Sequence, residues 1–130
     1  MRILVTGGAG FIGSAYVRRA IMRGDDVLIV DKMTYASSDK AIETALSTNH
    51  AVLAQFDICD EAEVLFQINS FSPDCVIHFA AESHVDNSIA APHDFIQTNI
   101  VGTYNLLNAA LSFWCGLDQS KAASFRFHHI

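Results

Sequence analysis

Three glycines near the start of the chain have the spacing and the setting of a phosphate-binding turn. Gly7, Gly10 and Gly13 follow a short apolar run and precede a segment with apolar residues on one face. In such a turn Gly7 lets the chain reverse, Gly10 lets a pyrophosphate approach the backbone, and Gly13 lets the helix pack closely. The N–H groups at the start of that helix, with its positive dipole end, attract an anion. The G-x-x-G-x-x-G spacing therefore predicts a dinucleotide site, provided that the neighbouring elements agree.

One acid, Asp31, directly ends the next apolar run, residues 27–30. An acid about 20 residues beyond a glycine turn is placed to accept the ribose hydroxyls of an adenosine. A helix cap or an ordinary loop acid is the alternative for an aspartate that follows a strand, but the glycine turn in register favours the ribose role. Because a carboxylate repels a 2′-phosphate, the sequence predicts NAD rather than NADP.

Polar and small residues also follow the third and fourth apolar runs, at 57–58 and 80–84. Ala80 and Ala81 are small enough for a flat cofactor to lie against the backbone, although ordinary loop chemistry is the alternative for both segments. Ser83, His84 and Asp86 are not expected to form a catalytic triad. Neighbours in an extended segment point to opposite sides, whereas a triad needs convergent side chains.

No metal site is predicted from the histidines and cysteines. His128 and His129 are adjacent, so in a strand they face opposite sides of the sheet, and no third ligand stands at a metal spacing. Cys59, Cys75 and Cys115 are odd in number, widely spaced and without a C-x-x-C pair. This usage is typical of reduced cysteines in a cytoplasmic protein.

The candidate residues need a scaffold of alternating strands and helices to bring them together. The predicted strands cover 2–6, 26–30, 51–55, 74–79 and 124–130, and the predicted helices cover 11–23, 38–48, 61–71 and 92–115. This alternation predicts the α/β class, a Rossmann-type doubly wound parallel sheet with strand order 3-2-1-4-5. The carboxyl ends of the strands then share one edge, where ligands bind. Gly102, inside the fourth helix, predicts a close crossing with another element.

The bulk composition fits one globular domain. Of the 130 residues, 51% are hydrophobic and 17% are charged, which excludes a disordered chain. A net charge of −6 without a basic cluster argues against nucleic-acid binding. The chain begins with a strand and a turn and has no long apolar run, so neither a secretory leader nor a membrane span is predicted, and a cytoplasmic location is expected.

Over essentially its whole length the chain resembles the amino-terminal part of the dTDP-glucose 4,6-dehydratases, a family within the extended short-chain dehydrogenase/reductase superfamily. The glycine motif is shared across that superfamily, whereas residues 80–89, residues 98–104 and the closing Phe-Arg-Phe-His-His-Ile are typical of sugar-nucleotide 4,6-dehydratases. The matching residues lie in segments 1–14, 31–36, 56–60, 78–89, 95–104 and 125–130.

The resemblance implies which residues contact the cofactor NAD and the substrate. With the three glycines, the predicted cofactor-binding residues are Gly7, Gly10, Phe11, Ile12, Gly13, Asp31, Lys32, Met33, Thr34, Asp57, Ile58, Phe79, Ala80, Ala81, Glu82, Ser83 and Thr98. Ser83 also matches a position that meets the sugar of the substrate. The resemblance is weakest from Ser37 to Asn49. Ser37 and Ser38 stand where the family usually has Gly-Asn, and serine resists the left-handed turn that glycine accepts.

The activity that the resemblance implies is NAD-dependent removal of water from dTDP-glucose, which gives the 4-keto-6-deoxy sugar. Family members act as homodimers, and their acid–base residues and sugar-nucleotide domain would follow Ile130. Residues 1–130 are therefore expected to be an incomplete NAD-binding domain, without catalytic residues of its own and inactive by itself. A related sugar-nucleotide 4-epimerase or decarboxylase, and a non-catalytic NAD-binding module, are the alternatives.

Overall fold

A computed structural model of the chain describes residues 1–83, 89 and 92–130. Within these residues five parallel strands form one sheet in the order β3-β2-β1-β4-β5, which confirms the predicted fold class and strand order. The strands are β1 (Arg2–Thr6), β2 (Asp26–Asp31), β3 (Ala51–Gln55), β4 (Cys75–His78) and β5 (Arg126–His129). The helices are α1 (Phe11–Met22), α2 (Asp39–Leu46), α3 (Glu61–Phe71), α4 (Pro92–Ile96), α5 (Thr103–Cys115) and α6 (Gln119–Ser124), with a π-helix at Gln97–Gly102.

Helices cover both faces of the sheet, so the central strands are apolar on both sides. Val5 of β1 is fully buried in a cluster with Val17 of α1 and Ile42 of α2. Its neighbour Leu4 points to the opposite face, in a cluster that includes Ile68 of α3. Each face thus has its own hydrophobic core, and the two cores fix the strand ends relative to one another. No helix in the described part of the chain is long and apolar enough to cross a membrane.

The predicted fifth strand, 124–130, is too long. Residues Gln119–Ser124 form α6 instead, and the strand begins at Arg126. The Asp118 carboxylate starts this helix by accepting hydrogen bonds from the N–H groups of Ser120 and Lys121, each 3.0 Å long. This N-cap interaction satisfies two N–H groups that have no partner within the first turn of the helix.

The predicted helix at 92–115 is not one regular α-helix. It contains the π-helix Gln97–Gly102 between α4 and α5. Gly102 ends this segment, and a Cβ atom there would lie 2.6 Å from Cγ1 of Ile58. The predicted close crossing is therefore confirmed, and its partner is the loop that follows β3. Short π-helical segments are frequent at functional sites.

Candidate functional site

A groove that is partly open to solvent lies at the carboxyl edge of the sheet. Its walls are the glycine turn after β1, the segments after β2, β3 and β4, and the π-helix. The predicted residues that line it are Gly7, Gly10, Asp31, Lys32, Thr34, Asp57, Ile58, Phe79, Ala80, Ala81, Glu82 and Thr98. The sequence analysis missed four further lining residues, Val30, Ala36, Ser37 and Phe56.

The glycine turn has no room for side chains. Gly7 has a φ of 66°, and a Cβ atom there would lie 2.6 Å from the backbone nitrogen of Ala80. A Cβ atom at Gly13 would strike the carbonyl oxygen of Gly7, so α1 begins directly on the turn. Gly10 is the N-cap residue of α1 and has no side chain to cap it. Since the first N–H groups of a helix have no partner within the helix, this end of α1 can bind an anion.

The Asp31 carboxylate is 7% exposed and is held by hydrogen bonds on both oxygens. Oδ2 accepts from the N–H of Ala9 at 2.9 Å, and Oδ1 accepts from the N–H of Met33 at 2.9 Å and from the hydroxyl of Ser37 at 2.7 Å. A carboxylate has about four acceptor positions. Asp31 as arranged here can therefore accept one further hydroxyl, on Oδ2, and a second would compete with Ser37.

The loop after β2 does not place Ser37 in a left-handed conformation, although the family usually has glycine at this position. The left-handed residue of this loop is Met33, with a φ of 59°. The hydroxyl of Ser37 accepts a hydrogen bond of 3.2 Å from the N–H of Thr34. The backbone N–H of Ser37 donates to the Thr34 carbonyl at 3.0 Å. Serine at this position thus closes the loop and steadies Asp31.

Lys32 lies among three polar groups of the groove. Its Nζ atom is 3.6 Å from Oδ2 of Asp57, 3.6 Å from Oε1 of Glu82 and 3.3 Å from Oγ1 of Thr98. Burial would raise the pKa of Asp57, but the hydrogen bonds from Cys59 and the charge of Lys32 lower it instead. Burial, followed by the neighbouring Asp57, raises the pKa of the Cys59 thiol to about 11, so this thiol is neutral at physiological pH.

The π-helix holds the segment that follows β4. The side-chain amide of Asn99 accepts from the N–H of Glu82 at 2.9 Å and donates to the Glu82 carbonyl at 2.9 Å. The Tyr35 hydroxyl donates to Oε2 of Glu82 at 3.3 Å from the loop after β2. Neither Asn99 nor Tyr35 was predicted as a site residue. An amide within the apolar stripe of a long helix is the only sequence signal for Asn99.

A buried histidine, His78, is connected to a wall of the groove through hydrogen bonds. The Nδ1 atom of His78 is 2.7 Å from the Thr6 hydroxyl, and its Nε2 atom is 2.9 Å from the Thr103 hydroxyl. The Thr6 hydroxyl also accepts a 3.3 Å hydrogen bond from the N–H of Ala80. Burial, with a contribution from the nearby His129, lowers the pKa of His78 to about 4. A neutral imidazole has one donor and one acceptor, which suits its two hydroxyl partners.

Five predicted residues do not line the groove: Phe11, Ile12, Gly13, Met33 and Ser83. Phe11 and Ile12 are 94% and 63% exposed on the first turn of α1, and Ser83 is also exposed. His84 and Asp86 lie outside the described residues. His129 packs against the ring of His78 at 4.7 Å. Among the residues that the structure describes, no three His, Cys, Asp or Glu side chains converge as metal ligands would.

The sequence of this chain is similar to those of a known protein family. The family model described as GDP-mannose 4,6 dehydratase matches residues 4–130. The dTDP-glucose 4,6-dehydratase 1 of Escherichia coli K12 is 51% identical across all of this chain, and a dTDP-glucose 4,6-dehydratase of Salmonella typhimurium is 49% identical. The chain spans 36% of the length of each of these two relatives.

A solved structure with a similar fold agrees with the sequence relatives. The dTDP-glucose 4,6-dehydratase DesIV of Streptomyces venezuelae, crystallised with NAD bound, superposes with a TM-score of 0.80 at 35% identity. That match covers 98% of this chain and 38% of DesIV. Because the family model matches almost every residue, the chain belongs to the GDP-mannose 4,6 dehydratase family.

Proposed function

We propose that these 130 residues are the NAD-binding part of a dTDP-glucose 4,6-dehydratase. That enzyme removes water from dTDP-glucose and gives dTDP-4-keto-6-deoxyglucose. The observation that supports the proposal most directly is the groove, in which Asp31 ends β2 and is hydrogen-bonded to the glycine turn. The 49% and 51% identity to dTDP-glucose 4,6-dehydratases supports the substrate. In this proposal the sugar-nucleotide domain and the catalytic acid and base lie outside residues 1–130.

The groove suits a dinucleotide in shape and in chemistry. At Gly7 a side chain would fill the space between the turn and Ala80, so the backbone itself forms the wall. The uncapped end of α1 would hold the pyrophosphate, and Asp31 would accept a ribose hydroxyl. Thr98 is 5% exposed at the opposite side of the groove and would orient the far end of the cofactor.

NAD, when bound, would supply the acceptor for a hydride taken from the sugar. The described residues bind and orient, but they include no free acid–base pair for the elimination. His78 is buried between two hydroxyl groups, and the thiol of Cys59 is neutral and donates to the carbonyl of Gln97. Glu82 is engaged by Lys32 and Tyr35. Ser83, exposed beyond the groove, is proposed to contact the sugar.

The preference for NAD over NADP tests the proposal. Two charges about 4 Å apart interact by about 1 kcal/mol in water and by about 4 kcal/mol near a protein surface, so Asp31 should reject a 2′-phosphate. We expect NAD to bind at least about tenfold more tightly than NADP in calorimetric titrations of the full-length gene product. Asp31→Asn should narrow that ratio, and the exposed Glu43→Gln of α2 is the matched control. Equal affinities of the unsubstituted chain for NAD and NADP would contradict the ribose role of Asp31.

A homodimer and a cytoplasmic location complete the proposal. Large apolar side chains are exposed at helical spacing along α4, the π-helix and α5, and such a stripe supports burial against a second subunit. Its members are Ile96, Ile100, Tyr104, Leu107, Leu111 and Trp114. In the described part of the chain Cys59, Cys75 and Cys115 are free thiols, which supports a reducing compartment.

A sugar-nucleotide 4-epimerase is the second candidate. The UDP-glucose-4-epimerase of Stenotrophomonas maltophila, solved with NAD, superposes with a TM-score of 0.79 at 30% identity and covers 99% of this chain. The higher identity to the dehydratases favours the first candidate. The products of dTDP-glucose distinguish the two when the full-length gene product is assayed: a 4-keto sugar absorbs after alkali treatment, and an epimerised sugar does not.

A further inference from the structure

Lys32 is the only cationic residue among the described residues that line the groove. It follows β2 directly, and its ammonium reaches the segments after β3 and β4 and the π-helix. The contacts are Asp57 and Glu82, each at 3.6 Å, and Thr98 at 3.3 Å. The side chain of Lys32 is 32% exposed, while those of Asp57 and Glu82 are 43% and 15% exposed. The ammonium is therefore shielded from solvent in part and fixed by three partners.

The carboxylates of the groove would repel an anionic ligand. Asp31, Asp57 and Glu82 all contribute carboxylates, and a pyrophosphate would add further negative charge. The Lys32 ammonium lies 3.6 Å from both Asp57 and Glu82, well within the Debye length of about 8 Å, so salt screens these two pairs only in part. The bare amino end of α1 attracts the pyrophosphate, but three nearby carboxylates oppose it. One cation placed between two of those carboxylates reduces the opposition.

We propose that Lys32 is a positioning residue that offsets the carboxylates of the groove and so admits an anionic dinucleotide. It pairs Asp57 and Glu82, which holds their charge away from the pyrophosphate and ties together the loops that form the walls. This inference rests on the proposed NAD binding and goes beyond it. It assigns the effect of Lys32 to its charge, and it predicts that the effect depends on the charge of the ligand.

The test compares ligands that differ in charge. Lys32→Met, Lys32→Arg and Lys40→Met are made in the full-length gene product and titrated calorimetrically with NAD, ADP-ribose and adenosine at low and high salt. Lys40 is exposed on α2, so Lys40→Met makes the same change in net charge away from the groove. In Lys32→Met we expect about tenfold weaker binding of NAD and ADP-ribose at low salt, a smaller loss at high salt, and adenosine affinity within about twofold. Lys32→Arg, which keeps the charge, should lose less affinity than Lys32→Met, and Lys40→Met should bind like the unsubstituted protein.

A double variant separates charge from folding effects. Glu82→Gln removes one carboxylate. In the Lys32→Met background it should therefore restore about half of the binding free energy for ADP-ribose that Lys32→Met loses. Thermal melting of each variant shows whether it is folded under the titration conditions. Partial restoration for ADP-ribose without change for adenosine would support the inference.

Three results would overturn it. Equal losses for adenosine and ADP-ribose would mean that Lys32 acts through packing. Unchanged or tighter binding of ADP-ribose by Lys32→Met would mean that its ion pairs do not aid the anion. In both cases NAD binding by the unsubstituted chain would leave the proposed function intact. If the unsubstituted full-length protein, shown to be folded, bound neither NAD nor ADP-ribose, the proposed function and this inference would fall together.

Discussion

Acidification should destabilise this chain through a single buried side chain, His78. The imidazole is 1% exposed and lies between the hydroxyls of Thr6 and Thr103. Burial, with the nearby His129, lowers its pKa from 6.5 to about 4. Protonation would replace the ring acceptor by a donor and leave a charge without water around it. Because the Thr6 hydroxyl also binds the N–H of Ala80, the same event would disturb a wall of the groove.

The size of the effect follows from the difference in pKa between the unfolded and the folded chain. Above pH 6.5 the imidazole is neutral in both states, and its full contribution to stability is present. As the pH falls from 6.5 to about 4, the unfolded chain takes up a proton that the folded chain refuses, so the free energy of unfolding decreases. At about 1.4 kcal/mol per pH unit, the total loss across this window is about 3 kcal/mol.

Urea denaturation between about pH 7.5 and about pH 4.5 measures most of this loss. His78→Gln, which keeps one donor and one acceptor, should lack it, whereas His93→Gln should behave like the unsubstituted chain because His93 is exposed on α4. Asp25 and Asp57 have pKa values lowered from 3.8, so their contributions disappear only below the window.

Two observations would refute this reasoning. One is a free energy of unfolding that stays constant across the window in the unsubstituted chain, and the other is an equal loss in His78→Gln. If His78→Gln does not fold, NMR titration of the ring protons of His78 gives its pKa directly. A value near 6.5, the ordinary value for histidine, would refute the burial effect as well.

Three further predictions concern the turn, the surface and the chemistry. Gly13→Ala should lower the free energy of unfolding by about 1–3 kcal/mol and weaken NAD binding, because its Cβ would strike the Gly7 carbonyl. In the same melting and titration experiments Gly116→Ala, whose Cβ would lie 3.4 Å from the Phe113 carbonyl, should change little. The 130 residues expressed alone should self-associate in sedimentation, since Leu111 is 56% exposed and β5 is an edge strand; a monomer would refute this. The same 130 residues incubated with dTDP-glucose and NAD should give no alkali-induced absorbance above a heat-killed control, and turnover would reveal acid–base groups within them.

The order of the sheet could be predicted because it depends on local patterns that repeat along the chain. Continuous apolar runs such as 27–30 identify strands covered on both faces, and the helical segments between them require parallel crossovers. The glycine turn fixes the first crossover, since Gly7 needs a φ of 66° and touches Ala80. Once that order is fixed, the residues after each strand must meet at one edge, which is why most of the predicted groove residues lie together.

Features that depend on a few side-chain interactions could not be predicted in this way. The helix α6 begins because Asp118 caps it, although its residues also suit a joint between helix and strand. The π-helix coincides with two contacts, Gly102 on Ile58 and Asn99 on Glu82. Each involves residues from distant parts of the sequence, and no hydrophobic period records them. The same holds for Ser37, whose hydroxyl binds Asp31 only because the loop turns left-handed at Met33.

The resemblance assigned Asp31 and Lys32 the same role, contact with NAD, but the structure gives them different surroundings. Asp31 is 7% exposed and has three protein donors, so it is a fixed acceptor with room for one hydroxyl. Lys32 reaches away from it to Asp57 and Glu82. In the proposed function, the Asp31 carboxylate that would select the unphosphorylated ribose would also add negative charge beside the pyrophosphate. A groove lined by acids would then need a cation near those acids to accept an anion, which is the role proposed for Lys32.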